Sequence, residues 1–171
     1  DLAWDQQNLS NYSLLSLDLL GFGESPKPLD FPYTMEAHGD VVSQVIHQLQ
    51  DYKIHFVGSS MGPVIGLTLS DETLNTFGSF ANLEARLFAE DCGNSAKAAA
   101  ISLESFLMDF WPALKEKVKD KSVTAYDLEN ALPEAFYYGG KSVVELAKSE
   151  WSYQRFMELQ IPKKYFYGDD E

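Results

Sequence analysis

Apolar and polar positions fall into two textures along this chain. Up to residue 84, short apolar runs alternate with helical stripes. Residues 12–18 read as a buried strand, and a loop follows in which Gly21, Gly23, Pro26 and Pro28 forbid regular structure. Thr34 then reads as a helix N-cap with Glu36 in the first turn. Val41, Val42, Val45, Ile46 and Leu49 form one apolar stripe of a helix ending near Tyr52. Residues 53–57 read as a second strand, 61–70 as a helix, and 74–83 as a third strand carrying Thr76, Phe77, Phe80 and Leu83. Strand, helix, strand, helix, strand predicts an α/β fold: a mostly parallel sheet with flanking helices and right-handed crossovers.

Near residue 85 the texture changes. Helical patterns occupy 85–90, 95–119, 124–131, 134–149 and 153–159, with Pro112 expected to kink or split the long one. Breaks are expected at 91–94 and at Tyr138-Gly139-Gly140. Residues 163–167 resume strand character. The pattern predicts a core at 1–84, a helical cap inserted at 85–160 over the C-terminal edge of the strands, and a return to the core sheet at 161–171. Before residue 12, only Leu2, Ala3 and Trp4 form an apolar cluster, which reads as the tail of a helix.

Between the second strand and its helix lies Gly58-Ser59-Ser60-Met61-Gly62-Pro63, a G-x-S-x-G motif in a strand-turn-helix setting. That is the setting of a nucleophile elbow. The turn leaves no room for bulky neighbours, so glycines two residues either side of Ser60 are expected to let strand and helix approach. Pro63 costs nothing in the first helical turn, which has no amide bond to lose. At the apex Ser60 would stand at the positive end of the helix, and the backbone amide of Met61 would be one donor to a developing oxyanion.

Composition narrows the class. The chain has 171 residues and a net charge of −13, which argues against nucleic acid or an anionic membrane surface as partner. A single cysteine, Cys92, excludes an internal disulfide framework and reads as a buried thiol. No run approaches the ~18 apolar residues that span a bilayer, and no signal-peptide pattern is present, so a cytoplasmic location is the expectation. No metal or cofactor is expected; the partner expected is a small-molecule substrate.

Together these segments resemble the α/β-hydrolase family. Residues 17–25, Leu-Asp-Leu-Leu-Gly-Phe-Gly-Glu-Ser, look like the family's D-x-x-G-x-G-x-S segment. Tyr33-Thr34-Met35-Glu36 looks like the start of its next helix, and the elbow follows at the right distance. The resemblance covers residues 12–84 and extends to 163–171, while the cap matches only in kind. Here serine precedes the nucleophile and proline follows the motif, where many members have histidine and glycine. The family also places a strand between those ending near Asp18 and Val57, whose following loop carries a second oxyanion amide; nothing before residue 12 supplies it.

The resemblance implies Ser60 as nucleophile, followed in the chain by an acid and then a histidine. Glu84, ending the third strand, is one candidate acid; Asp169, Asp170 and Glu171 after the last strand are the others, with family spacing favouring Glu171. All three histidines, His38, His47 and His55, precede Ser60. His55 is expected roughly 16 Å below the apex at the rise of a strand. The base is therefore expected outside these residues, and the chain is expected to be an internal piece of a longer hydrolase, inactive alone. A serine nucleophile implies an acyl-enzyme, hence hydrolysis of an ester, amide, thioester or carbon–carbon bond, and a small or medium apolar ester is the substrate expected. The cap aromatics Phe106, Phe110, Trp111, Phe136, Tyr137, Tyr138, Trp151 and Tyr153 either line an acyl pocket or form plain core. The alternative function is a non-catalytic protein of the same fold that binds a small molecule.

Overall fold

The computed structural model describes residues 11–168. Three strands, β1 (His55–Ser59), β2 (Ser79–Leu83) and β3 (Lys163–Phe166), form a parallel sheet in that order. The register sets Phe56 beside Phe80, Ser59 beside Leu83, and Leu83 beside Phe166. All three strands therefore end at one level. Register partners share a face, so Phe56, Phe80 and Asn82 lie on one side, with Val57, Leu83 and Phe166 on the other. The first side is packed. There Phe80 is fully buried, stacked on Phe56 at 4.7 Å and edge-on to Phe156 at 6.2 Å.

α1 (Met35–His47) starts where the sequence placed it, with the Ala37 N–H donating to Thr34 Oγ1 at 3.2 Å. α2 (Gly62–Leu67) leaves the elbow with Pro63 in its first turn, and Val64, Ile65 and Leu67 are buried. Residues 74–83 are a correction: α3 (Asp71–Thr76) takes the first part, and only Ser79–Leu83 is strand. The cause is local, because Ser70 caps the Thr73 N–H while Asp71 and Glu72 complement the helix dipole. Residues 12–18 are a second correction. They take no regular structure, and Leu14, Leu15 and Leu17 are exposed. A strand exists only through its ladder, and no described neighbour offers one here.

The helical region comprises a 3₁₀ turn (Ala89–Cys92), α4 (Gly93–Ala99), α5 (Leu103–Ser105), a π-helical turn (Phe106–Phe110), α6 (Trp111–Val118), α7 (Ser122–Glu129), α8 (Pro133–Lys148) and α9 (Trp151–Glu158). Instead of one helix over 95–119 there are several pieces. Ser102 starts a new helix by accepting the Ser105 N–H, and the turn before Pro112 is widened, with the Trp111 N–H reaching Phe106 O. The Gly139-Gly140 pair does not break α8. A Cβ at Gly140 would stand 3.5 Å from Ser95 on α4, and one at Gly139 3.4 Å from Tyr33 O, ordinary van der Waals separations that do not require glycine.

Two apolar clusters result. The larger joins α2, α8, α9 and the packed sheet face through Ile65, Leu67, Phe80, Val143, Val144 and Phe156. The smaller gathers Ala98, Phe106, Trp111, Leu114, Val118, Leu128 and Tyr137. Arg155 fastens α9 to the far end of α2: Nε and Nη2 donate to Leu67 O and Leu69 O, both at 3.2 Å, and Nη1 pairs with Asp71. A cation on exposed helix-end carbonyls also complements the α2 dipole. Among the described residues, no helix is long and apolar enough to cross a membrane.

Candidate active site

At the junction of β1 and α2, Ser60 has a left-handed backbone, φ 57°. A side-chain-bearing residue pays roughly 1–3 kcal/mol for such a conformation, so its surroundings must impose it. Here two bonds do so: the Ser60 N–H donates to Leu83 O at 3.1 Å, and the Arg86 N–H donates to Ser60 O at 3.4 Å. Gly58 makes the crossing possible, since a Cβ there would lie 2.8 Å from Pro63 N. Gly62 is different: a Cβ there meets nothing within 4 Å, so the second motif glycine relieves no contact in this structure. Met61 starts α2, its carbonyl accepting the Ile65 N–H at 3.0 Å. Its sulfur lies beside Gly139 of α8, 3.6 Å from where a Cβ would stand.

Glu84 sits one residue beyond β2, level with Ser60, and is also left-handed at φ 49°. Its N–H donates to Phe166 O at 2.8 Å, and its Oε1 accepts the Gly168 N–H at 3.2 Å. It does not pair with Arg86, whose Nη1 donates to Asp91 O instead. Asp169, Asp170 and Glu171 lie outside the described residues, as does the Leu2-Ala3-Trp4 cluster.

None of the histidines serves Ser60. His38 on α1 is 1% exposed, ringed by Phe22, Phe31 and Tyr33, and neither ring nitrogen has a partner. Burial lowers its pKa to about 4, so it is neutral. His47 ends α1 on the surface. His55 begins β1, at the opposite end from Ser60, with Nδ1 2.9 Å from Ser79 Oγ. Cys92 is buried, and desolvation pushes its thiol pKa up, with the Arg86 charge opposing.

Several contacts that pattern reading did not foresee support the site. Asp18 accepts the Glu24 N–H at 2.9 Å and closes the glycine loop, where a Cβ at Gly23 would strike its carboxylate. Gly21, at φ 86°, hands its carbonyl to the Leu132 N–H at 2.7 Å, tying that loop to the start of α8. Ser142 on α8 accepts the Met35 N–H at 3.0 Å. The aromatics of the helical region pack on one another: Phe106 lies 5.7 Å from Trp111, 5.1 Å from Tyr137 and 6.1 Å from Phe136. One cleft of about 270 Å³ lies between α1 and α8 and another of about 480 Å³ between α6 and α7; neither is lined by Ser60.

This sheet, elbow and helical layer have the α/β-hydrolase fold. The sequence model of the family described as alpha/beta hydrolase fold matches residues 5–85. Solved structures agree on the fold. A bromoperoxidase from Bacillus anthracis superposes with a TM-score of 0.67 at 18% identity, covering 89% of this chain and 62% of that one. The N-acyl homoserine lactonase AidH gives 0.65 at 18%, covering 90% and 59%. Among curated proteins, probable lysophospholipase BODYGUARD 4 of Arabidopsis thaliana is 47% identical over 66 residues, which are 38% of this chain and 16% of the relative. BODYGUARD 5, also a probable lysophospholipase of that plant, is 34% identical over 91 residues, covering 53% of this chain and 20% of the relative. The chain thus spans a fifth or less of the length of these relatives.

Proposed function

We propose that a protein carrying this sequence is a serine hydrolase that cleaves a small or medium apolar ester. Ser60 Oγ attacks the ester carbonyl and passes its proton to a histidine supplied from outside residues 1–171. The Met61 N–H holds the oxyanion, the alcohol leaves with that proton, and water then releases the acid. The triad carboxylate is Glu84, which follows β2, or one of Asp169, Asp170 and Glu171, which follow β3 in the chain. Residues 85–160 act as a cap over the C-terminal edge of the strands. The observation that carries this reading is the left-handed Ser60 between β1 and α2. Similarity to proteins named probable lysophospholipases supports an ester as the bond cleaved.

A fluorophosphonate probe applied to the intact protein is expected to label Ser60. Ser60→Ala is expected to abolish labelling and to lower ester hydrolysis by roughly 10⁴- to 10⁶-fold. An unlabelled, folded protein supports the second reading, a non-catalytic binder of small molecules. That reading is favoured by one observation: His38 has no hydrogen-bond partner and His55 bonds Ser79, so neither is hydrogen-bonded to Ser60.

A further inference from the structure

We infer that Glu84 is a positioning residue: its carboxylate ties the end of β3 to the level of the Ser60 elbow, and the triad acid is a different side chain. The inference rests on the serine-hydrolase reading. The register that pairs Ser59, Leu83 and Phe166 brings three strand ends together. Each junction is then extended by one backbone bond, Ser60 N–H to Leu83 O and Glu84 N–H to Phe166 O. The left-handed turn at Glu84 lets the chain leave β2 while its side chain reaches the end of β3. There Oε1 takes the Gly168 N–H, and a Cβ at Gly168 would stand 3.0 Å from that oxygen, so glycine keeps the approach open. Tyr165 makes a parallel tie, donating from its hydroxyl to Ala85 O at 3.4 Å.

The partner of Glu84 is a neutral amide, and the nearby guanidinium of Arg86 is turned to Asp91 O. An oxygen acceptor is what this tie requires, and a negative charge is not. The tie holds Gly168, two residues beyond the end of β3, at the level of the Ser60 turn. A triad carboxylate differs in kind, because it must offer an oxygen to imidazole and carry the compensating charge.

The two roles separate on Glu84→Gln, which keeps the acceptor oxygen and removes the charge. The intact protein is first labelled with fluorophosphonate, which tests the serine-hydrolase reading independently. Hydrolysis of p-nitrophenyl butyrate is then measured for the wild type and for Glu84→Ala, Glu84→Gly and Glu84→Gln. Glycine is included because it is free of the left-handed strain that alanine would carry at φ 49°. The expected result is a loss of about tenfold in kcat for Ala and Gly through misplacement, recovery by Gln to within about threefold, and an unchanged pH–rate profile. Amide exchange at Gly168 is expected to quicken about tenfold in Ala and Gly and not in Gln. A Gln variant crippled by about 10⁴-fold, as when a triad carboxylate becomes an amide, overturns the inference. So does Gly168 exchange that ignores all three substitutions, a result that decides the matter even if Ser60 is never labelled.

Discussion

Ser60 and Glu84 end neighbouring strands with backbones that L-residues avoid, and each is held by a bond to the next strand. His38 is exceptional in another way: it is a polar ring buried among Phe22, Phe31 and Tyr33 with both nitrogens unpartnered. Its folded pKa of about 4 lies below the ordinary 6.5, so between those values the unfolded chain binds the extra proton. Stability is therefore undiminished above pH 6.5 and falls as pH drops toward 4. At pH 5 the loss is about 2 kcal/mol, or roughly 4–8 °C in Tm. His38→Leu should remove that part of the acid sensitivity, read as the difference in Tm between pH 7 and pH 5. An unchanged difference would refute the assignment. The serine and its motif were legible in the sequence because the elbow is a local device. The isolation of His38 was not legible, since a histidine near a helix start looks alike whether wet or dry.

Elements show where local signals suffice and where they are overruled. Thr34 and Ser70 each start a helix by the same side-chain cap, and the second was available in the sequence as Ser-Asp-Glu-Thr. The strand expected over 12–18 failed because pairing partners decide strands, whereas caps decide helix starts. Gly139 and Gly140 were expected to break a helix and instead lie inside α8. Glycines on helices thus have opposite expected outcomes. Gly66→Ala places a Cβ 2.6 Å from Phe56 Cζ and 3.0 Å from Phe80 Cε2, in the stack that carries β1 and β2. It should destabilise by about 1–3 kcal/mol. At Gly139 the nearest atom is 3.4 Å away, and Gly139→Ala should be neutral or stabilising by up to about 1 kcal/mol through helix propensity. Urea denaturation of both variants distinguishes them. Arg155→Met, which leaves Leu67 O and Leu69 O without their donor, should cost about 1.5–3 kcal/mol in the same assay.

At the scale of the whole molecule, the sheet is covered on one face only among the described residues. Phe56, Phe80 and Asn82 face the helices, while Val57 is 62% exposed and Phe166 48% on the opposite face. All-parallel sheets are normally covered on both faces. The 171-residue chain by itself should therefore self-associate through this face, seen as a mass above that of one chain in light scattering. Val57→Lys should reduce that association. A monodisperse single chain at high concentration would contradict this. The charge of −13 opposes such association, so raising the salt concentration should promote it.

The sequence by itself determined the features whose cause lies within a few residues: the helix cap at Thr34, the loop enforced by Gly21, Gly23, Pro26 and Pro28, the sharp turn at Ser60, and the parallel order of the sheet. Tertiary structure decided which apolar runs became strands, which glycines served contact, where the three histidines lie, and what the Glu84 carboxylate holds. The division is physical. Caps and tight turns satisfy backbone groups with near neighbours, whereas ladders, burial and the reach of a side chain depend on what another part of the chain brings alongside.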